Sequence, residues 1–252
     1  MNKNRNIVLA SNACWQIFNF RKNTIKKLLS LGYKVTVIAP DDHCSESIKL
    51  LGCVLIPIDL DSSGKSPYKD IFTFIQLFRI YLQLKPDLVL NFTPKINIYS
   101  TLAASFLGIH CINNIAGLGT SFVENSVVSK VVGFLYSISQ PRASKVFFQN
   151  LEDKIIFNQK GWVKENKSIR IMGSGVDLDH FQVTHAPDDK VVRFLFIGRI
   201  LKEKGVQELI DASKILKRKY SNLKILILGP IDTGKKNQPN SNDIEAWEQK
   251  GL

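Results

Sequence analysis

The chain has 252 residues, of which 44% are hydrophobic and 22% are charged. This composition is typical of a globular protein and excludes disorder, collagen and coiled coil as descriptions of the whole chain. Lys and Arg number 34 and Asp and Glu number 22, a net charge of +12. This excess favours an anionic partner such as a phosphorylated ligand, a nucleic acid or an anionic membrane surface.

Short strand-like runs alternate with segments of helical periodicity in the first part of the chain. The predicted strands are 6–10, 34–39, 53–60, 87–92, 110–115 and 145–149, with a further strand-like run at 169–172. The predicted helices are 20–31, 45–51, 67–84, 98–107, 127–139 and 151–160. Apolar strands alternating with helices indicate a parallel sheet covered on both faces. Residues 1–182 are therefore predicted to form a complete, doubly wound Rossmann-like α/β domain.

A second, smaller unit is predicted after a polar linker at 183–190. Residues 191–228 contain a predicted strand, helix and strand, which make one βαβ unit. Because a two-stranded sheet is marginally stable, this unit is expected to be the start of an incomplete second Rossmann-like domain. Residues 229–252 are expected to form a polar tail without a regular element.

The cysteines and the apolar stretches bear on the compartment. Cys14, Cys44, Cys53 and Cys111 form no CxxC pair and have no zinc-ligand spacing, so we expect free thiols and no metal site. The longest uncharged stretch, 96–123, contains asparagines, a histidine and glycines and is not expected to span a membrane. These features favour a cytoplasmic protein, attached to a membrane at most at its surface.

The loop after the first predicted strand, 11–15, contains no GxGxxG motif, which argues against a classical NAD-binding domain. Arg21 and Lys22 follow at a predicted helix start, where cations oppose the helix dipole. A bound anion near Arg21 explains this conflict, and a merely solvated arginine explains it equally well.

Two glycine loops follow later strand-like runs. Gly117 and Gly119 come after 110–115, and Gly173 and Gly175 come after 169–172. Glycines in such loops allow backbone amides to approach a phosphate. Plain turns account for both loops as well.

A basic turn follows the first strand of the second unit. Gly198, Arg199 and Lys204 lead into a predicted helix, whose positive end allows both cations to converge on a pyrophosphate. A solvated basic loop is the alternative for each residue taken alone. The GxxxxGK pattern at 229–235 is expected to be a turn, because Lys236 stands where a phosphate-binding loop needs Ser or Thr.

Together these segments resemble a known family. Gly-x-Gly-Val-Asp at 173–177, a short linker, a strand and Gly-Arg-x-x-x-x-Lys-Gly at 198–205 resemble the family-4 glycosyltransferases of the GT-B fold. Segments 19–21, 91–99, 117–119 and 147–150 resemble one branch of this family. Members of that branch extend lipid-linked bacterial glycans for O-antigen, capsule or glycoprotein oligosaccharide. The resemblance runs from about Ile7 to Leu228.

The resemblance implies retaining transfer of a sugar from a nucleotide sugar, in particular a UDP-sugar, to a polyprenyl-diphosphate-linked glycan. It implies no metal or cofactor and a place at the inner face of the cytoplasmic membrane. It also implies that Gly198, Arg199 and Lys204 bind the donor diphosphate and that Gly173 and Gly175 form a glycine loop facing the cleft. On the acceptor side it implies Arg21, Lys95, Gly117 and Gly119. No catalytic residue is identified.

One departure from the family pattern opens alternatives. The second domain of the family continues further and carries a glutamate pair, whereas only Glu245 and Glu248 follow Leu228 here. We therefore expect a truncated or split transferase. The alternative is a non-catalytic remnant, or one subunit that binds a membrane or a separate C-terminal half. Nucleic-acid binding rests on charge alone, without a recognition motif, and is not expected.

The predicted helix 67–84 is apolar on most of its circumference. One stripe comprises Tyr68, Ile71, Phe72, Ile75 and Leu82, and a second comprises Phe74, Leu77, Tyr81 and Leu84. Such a helix is buried on all sides or has one face against lipid. The sequence leaves both possibilities open.

Overall fold

The computed structural model describes residues 5–61, 66–118, 127–185, 187–231 and 239–249. It divides into two compact units, Met1–Phe181 and Gln182–Leu252. Each unit is described by itself below.

The first unit alternates strands and helices along the chain. Its strands are β1 Asn6–Ala10, β2 Lys34–Ala39, β3 Val54–Pro57, β4 Leu88–Asn91, β5 Cys111–Ile115, β6 Lys145–Phe148 and β7 Ser168–Arg170. Its helices are α1 Cys14–Ser30, α2 Ser45–Leu50, α3 Pro67–Leu84, α4 Pro94–Phe106, α5 Val127–Ser139 and α6 Leu151–Gln159. Two short 3₁₀ turns, Gln140–Arg142 and Glu165–Lys167, precede β6 and β7.

The seven strands form one parallel sheet in the order β3-β2-β1-β4-β5-β6-β7. β1 and β4 are neighbours in the centre of the sheet. From β1 the chain adds strands towards one side, and from β4 towards the other, so the strand order reverses between them. Sheets of this kind bind ligands outside the carboxyl ends of the strands, at the point of reversal. The predicted doubly wound α/β domain is confirmed, and its carboxyl edge is where a site is expected.

Two hydrophobic cores lie on opposite faces of the sheet. The larger core packs α3, α4, α5 and α6 on one face, with Leu77, Tyr81 and Phe157 fully buried. The smaller core packs α1 and α2 on the other face, around Ile17 and Ile25. Since α3, α4 and α5 each follow a parallel strand, each of these helices begins at the carboxyl edge.

The four cysteines are free and buried, as predicted. Burial raises the pKa of each thiol, and that of Cys53 to about 11, so none of them is prepared for nucleophilic chemistry. Within the described ranges, no helix combines the length and the apolar composition that crossing a bilayer requires.

Two predicted helix starts are wrong. Helix α1 begins at Cys14 rather than at residue 20, so Arg21 lies in the body of the helix and does not oppose its dipole. Helix α4 begins at Pro94 rather than at residue 98, because the fixed φ of proline suits the first helical position. The predicted helices 20–31 and 98–107 are followed by Gly32 and Gly108, whose positive φ angles of 83° and 68° are typical of residues just after a helix.

The second unit contains a two-stranded parallel sheet of β8 Val192–Ile197 and β9 Leu223–Leu228. Helix α7, Val206–Lys219, covers this sheet through Val206 and Ile210, which are fully or almost fully buried. Several strand side chains remain exposed: Phe194, Leu195, Ile197, Leu226 and Leu228.

The expectation that 229–252 lacks a regular element is wrong, because Ser241–Gln249 forms helix α8. Asn240 starts the helix with its side-chain carbonyl, which accepts the backbone N–H groups of Asn242 (2.8 Å) and Asp243 (3.1 Å). Asparagine at this position satisfies amides that have no partner within the helix. Glu245, noted in the sequence as part of an acidic pair, lies on α8.

Candidate functional site

A neighbouring loop fixes the start of α1 at the carboxyl edge. Ala13, just before the helix, offers no side-chain cap. The carboxylate of Asp42 instead accepts the backbone N–H of Trp15 (2.9 Å) with one oxygen and that of Cys44 (2.8 Å) with the other. A negative charge at a helix N-terminus is favourable. The sequence alone did not predict this start, because the capping residue lies far along the chain.

Asp42, His43 and Cys44 bring potential metal-ligand atoms within 4.8 Å of one another. Both oxygens of Asp42 already accept backbone amides, and burial raises the pKa of the Cys44 thiol. This group is therefore explained by its role in holding α1.

Arg21 lies half-buried beside the end of β4. Its guanidinium carbon is 4.5 Å from the centroid of the Phe92 ring, a cation–π contact. Its Nε is buried without a hydrogen-bond partner, and its Nη1 donates only to the Phe20 carbonyl at 3.3 Å. Within the described ranges no carboxylate pairs with it, and burial lowers the pKa of its guanidinium. A cation with unused donors at this edge is suited to bind an anion.

The ends of β4 and β5 are tied to α4 by buried amide side chains. The Asn91 side chain donates to Asn113 Oδ1 (2.8 Å), which also accepts from Thr101 Oγ1 (2.9 Å). Asn113 donates in turn to Gln140 Oε1 (2.8 Å), and Gln140 donates to the Asn97 carbonyl (3.1 Å). Buried networks of this kind rigidify their surroundings, although Oδ1 of Asn97 has no hydrogen-bond partner. The sequence interpretation missed them, although asparagines inside apolar strands were a signal.

The first turn of α4 holds Lys95, one of the predicted acceptor-side residues. Its ammonium lies 2.6 Å from Asp70 on α3, and both side chains are about one-fifth exposed. Asp70 also accepts the hydroxyl of Tyr99 (2.9 Å), and burial together with this carboxylate raises the pKa of Tyr99. The charge of Lys95 is thus compensated inside the protein, in contrast to that of Arg21.

The two predicted glycine loops differ in how much of them the structure describes. Gly117 follows β5 with open space around its Cα, and Gly119 lies outside the described residues. Gly173 and Gly175 have φ angles of +82° and +76°, which favour glycine, although a Cβ would meet no atom at either position.

The loop 173–177 is held across the carboxyl edge by side chains from both halves of the sheet. Gln149, after β6, donates to Ser174 Oγ (3.2 Å) and to Asn114 Oδ1 (3.4 Å). The carboxyl of Asp177 lies near the side chain of Asn23 on α1, whose influence lowers the pKa of this carboxyl. The structure thus brings this loop beside the helix that carries Arg21.

The basic turn of the second unit lies at the carboxyl end of β8. Arg199 and Lys204 are exposed, and the buried side chains of Ile200 and Leu201 anchor the segment between them. Ile200 also donates its N–H to the Pro230 carbonyl (3.0 Å). Lys204 ends a short 3₁₀ turn that leads directly into α7, as the prediction of a helix start requires.

Gly198 and Gly229 approach each other closely beside this turn. A Cβ added to Gly229 would lie 1.8 Å from the Gly198 carbonyl oxygen, so no larger residue fits there without movement. The first glycine of the GxxxxGK pattern is therefore explained by packing. The pattern's remaining residues, from 232 on, lie outside the described residues.

A cavity of about 400 Å³ lies at the opposite, amino edge of the sheet, lined among others by Arg5, Asp87, His110 and Ser144. None of the predicted site residues lines it. Its position does not match the edge at which parallel sheets bind ligands.

Comparisons with known proteins agree with the motifs. The family model described as glycosyl transferase 4-like matches residues 7–150, more than half of the chain. The model described as glycosyl transferases group 1 matches residues 177–251.

Two curated relatives are similar to most of the chain. It is 27% identical over 226 residues to the N,N'-diacetylbacillosaminyl-diphospho-undecaprenol α-1,3-N-acetylgalactosaminyltransferase of Campylobacter jejuni, a match covering 83% of this chain and 60% of that protein. It is 28% identical over 203 residues to the capsular polysaccharide biosynthesis glycosyltransferase CapM of Staphylococcus aureus, covering 71% and 49%. The chain thus spans less than two thirds of either relative.

Solved structures show the same fold. A glycosyltransferase from Rickettsia africae is similar with a TM-score of 0.64 and 18% identity, covering 99% of this chain and 65% of that one. Anabaena HepE in complex with UDP-glucose is similar with a TM-score of 0.68 and 12% identity, covering 97% and 65%. The predicted GT-B-like fold is confirmed.

Proposed function

The chain belongs to the glycosyl transferase 4-like family, and we propose that it transfers a sugar from a nucleotide sugar to a polyprenyl-diphosphate-linked glycan. The family predicted from the motifs is confirmed by this match. The acceptor proposal is supported by the Campylobacter relative, whose name contains a diphospho-undecaprenol-linked sugar. CapM, named for capsular polysaccharide biosynthesis, supports a role in the synthesis of a bacterial surface polysaccharide. HepE, solved with UDP-glucose, supports a UDP-sugar as donor.

The observation that carries the proposal is the state of Arg21. A half-buried guanidinium without a carboxylate is costly to keep in a protein unless an anion compensates it at some stage of function. Phe92 holds the group at the carboxyl edge, beside the loop that contains Gly173 and Gly175. In our proposal Arg21 binds the diphosphate of the lipid-linked acceptor, and the Gly117 loop completes the acceptor side.

The donor side is assigned to the second unit. Arg199 and Lys204 flank an anchored turn before the N-terminus of α7, where backbone amides also favour an anion. When the bond between the sugar C1 and the donor phosphate breaks, negative charge develops on the departing diphosphate. Fixed cations stabilise that charge, and in our proposal these two residues supply them without a metal. The acceptor oxygen bonds to C1 with retention of configuration, and its proton passes to the departing diphosphate.

The test is a transfer assay, in which mass spectrometry follows sugar transfer from a panel of UDP-sugars to a polyprenyl-diphosphate-linked sugar. Arg199→Ala is expected to lower kcat/KM about 10²- to 10³-fold, because a donor aimed at developing charge is removed. Lys219→Ala is the matched control: it removes an exposed cation at the far end of α7 and is expected to leave the rate unchanged. Full activity of Arg199→Ala would contradict the donor assignment.

A second candidate is a binding subunit that acts only together with another polypeptide. The exposed apolar side chains of β8 and β9, such as Ile197 and Leu228, favour it, because a Rossmann-like sheet normally buries both faces. In that case the chain binds the acceptor lipid but transfers no sugar until a polypeptide that supplies further βαβ units is added. Transfer by the chain alone would eliminate this candidate.

We also propose that the protein acts at the inner face of the cytoplasmic membrane, as a peripheral protein. The reason is chemical: a polyprenyl chain holds the proposed acceptor in a bilayer, so the carboxyl edge has to reach the level of the lipid head groups.

A further inference from the structure

The outer face of α3 resolves the ambiguity that the sequence left open. Leu77 and Tyr81 of one predicted stripe are fully buried, and Phe74 packs against the same core. The other stripe faces outward, with Tyr68 85% and Ile71 58% exposed, and Phe72, Ile75 and Leu82 also exposed. One side of α3 therefore presents large apolar side chains that the described part of the protein does not cover.

Helix α5 presents the same kind of face, which the sequence did not suggest. Val127 is 78% exposed and Phe134 is 64% exposed, and Val131 between them is also exposed. Helix α4 lies between α3 and α5, contacts both, and is mostly buried beneath them. Its exposed end residue, Phe106, makes an edge contact with Phe74 at 6.1 Å.

These side chains make up what we call the α3–α5 apolar surface: Tyr68, Ile71, Phe72, Ile75, Leu82, Phe106, Val127, Val131 and Phe134. Single exposed apolar residues are ordinary, but a group on adjacent helices marks an interaction site.

Among the described residues of α3 and α5, the exposed charges without an ion-pair partner are positive, since Lys69 is paired with Asp61. Arg79 on α3 and Lys130 on α5 are exposed, whereas α5 contains no acidic residue. The one acid of α3, Asp70, is already paired with Lys95. Apolar side chains with exposed cations and no uncompensated acid complement an anionic bilayer. A symmetric contact between two copies would instead bring these cations together.

We propose that the α3–α5 apolar surface docks the protein on an anionic lipid bilayer. The surface begins with Tyr68 and Ile71 in the first turns of α3, next to the Asp70–Lys95 pair at the carboxyl edge, so docking at this end places that edge beside the lipid head groups. The inference rests on the proposed function for its purpose, since a membrane-bound diphosphate acceptor has to reach that edge. Its physical basis is independent of sugar transfer.

The test measures co-sedimentation of the full chain with vesicles of phosphatidylcholine, with and without phosphatidylglycerol. The double variant Ile71→Asp/Phe72→Asp is expected to reduce partitioning onto the anionic vesicles at least about tenfold. The matched control, Ile215→Asp/Tyr220→Asp, makes equivalent changes at exposed positions of the second unit and is expected to bind like the unmodified protein. Circular dichroism shows whether each variant is folded.

A second pair of changes tests the charge component separately. Arg79→Gln/Lys130→Gln is expected to weaken binding to phosphatidylglycerol vesicles severalfold and to leave the weak binding to phosphatidylcholine unchanged. Equal binding of the unmodified protein to both vesicle types would overturn the anionic preference.

Other outcomes contradict the docking surface itself. Unchanged vesicle binding by a folded Ile71→Asp/Phe72→Asp variant overturns it. Light scattering tests a second alternative. If the unmodified protein is a dimer, and the variant is a monomer that still binds vesicles, the surface joins two copies and the docking proposal is overturned. Transfer to an acceptor on a short, water-soluble prenyl chain is expected to be equal for this variant and the unmodified protein. If neither transfers sugar while the vesicle results hold, the proposed function fails and the docking surface stands.

Discussion

Both the carboxyl edge and the amino edge of the seven-stranded sheet carry an arginine, but the two arginines differ in burial and in their contacts. At the carboxyl edge Arg21 is half-buried, stacked on Phe92 and not paired with any carboxylate among the described residues. At the amino edge Arg5 is exposed to solvent, and Asp87 accepts the backbone N–H of Asn6 at 2.7 Å.

The cavity of about 400 Å³ nevertheless lies at the amino edge. There His110 is hydrogen-bonded to Ser144 at 3.2 Å, and Asp87 accepts the N–H of Asn6. The comparison teaches that a cavity by itself does not mark the edge at which we propose that the acceptor binds. A partly desolvated charge without a partner identifies it better, because only such a group gains strongly from a bound anion.

The largest expected difference between the edges concerns stability. Asn113→Leu removes the centre of the amide network below the carboxyl edge. It takes the donor at 2.8 Å from Gln140 Oε1 and the acceptor at 2.9 Å from Thr101 Oγ1, and Asn91 Nδ2 keeps only its 3.4 Å bond to Thr101. Each such loss costs about 1–3 kcal/mol, so we expect the free energy of unfolding to fall by roughly 3–5 kcal/mol. Urea denaturation measures this change.

His110→Ala is the matched change at the amino edge. It removes one exposed hydrogen bond and is expected to alter the free energy of unfolding by no more than about 0.5 kcal/mol. Equal losses in both variants would show that the two edges do not differ in this respect.

The next largest effect concerns binding. Arg21→Met keeps an apolar side chain against Phe92 but removes the charge, and we expect acceptor affinity to fall about 10- to 100-fold, because hydrogen bonds to charged groups contribute about 1.5–3 kcal/mol. Arg5→Met, the same change at the amino edge, is expected to leave the affinity unchanged. Isothermal titration with a short-chain prenyl diphosphate measures both, and a comparable loss in Arg5→Met would mean that only net charge matters.

The smallest effect concerns Asp70. Asp70→Asn removes the ion pair with Lys95 but keeps an oxygen that can accept from Tyr99. Since the pair is partly exposed, we expect the free energy of unfolding to fall by only about 1 kcal/mol. If acceptor affinity rises at the same time, Lys95 has been released to bind the acceptor; no rise would indicate that its role is structural.

Sequence patterns predicted the architecture because the relevant interactions are local. Alternation of apolar strands and helices gave the doubly wound sheet, and the glycine spacing identified the family. The start of α1 could not be predicted, because its cap comes from Asp42 in the loop after β2. The two stripes of α3 were visible in the sequence, but which one is buried depends on where α4 and the sheet lie.

The same division holds for the site. The sequence by itself determined which cations and glycines are available in the segments that follow the strands: Arg21, Lys95, Arg199, Lys204 and the glycines of the loops. Only the tertiary structure decided that Lys95 is neutralised by Asp70 while Arg21 remains uncompensated on Phe92. The physical reason is that electrostatic compensation and desolvation depend on neighbours distant in sequence, whereas periodicity and turn chemistry depend on residues a few positions apart.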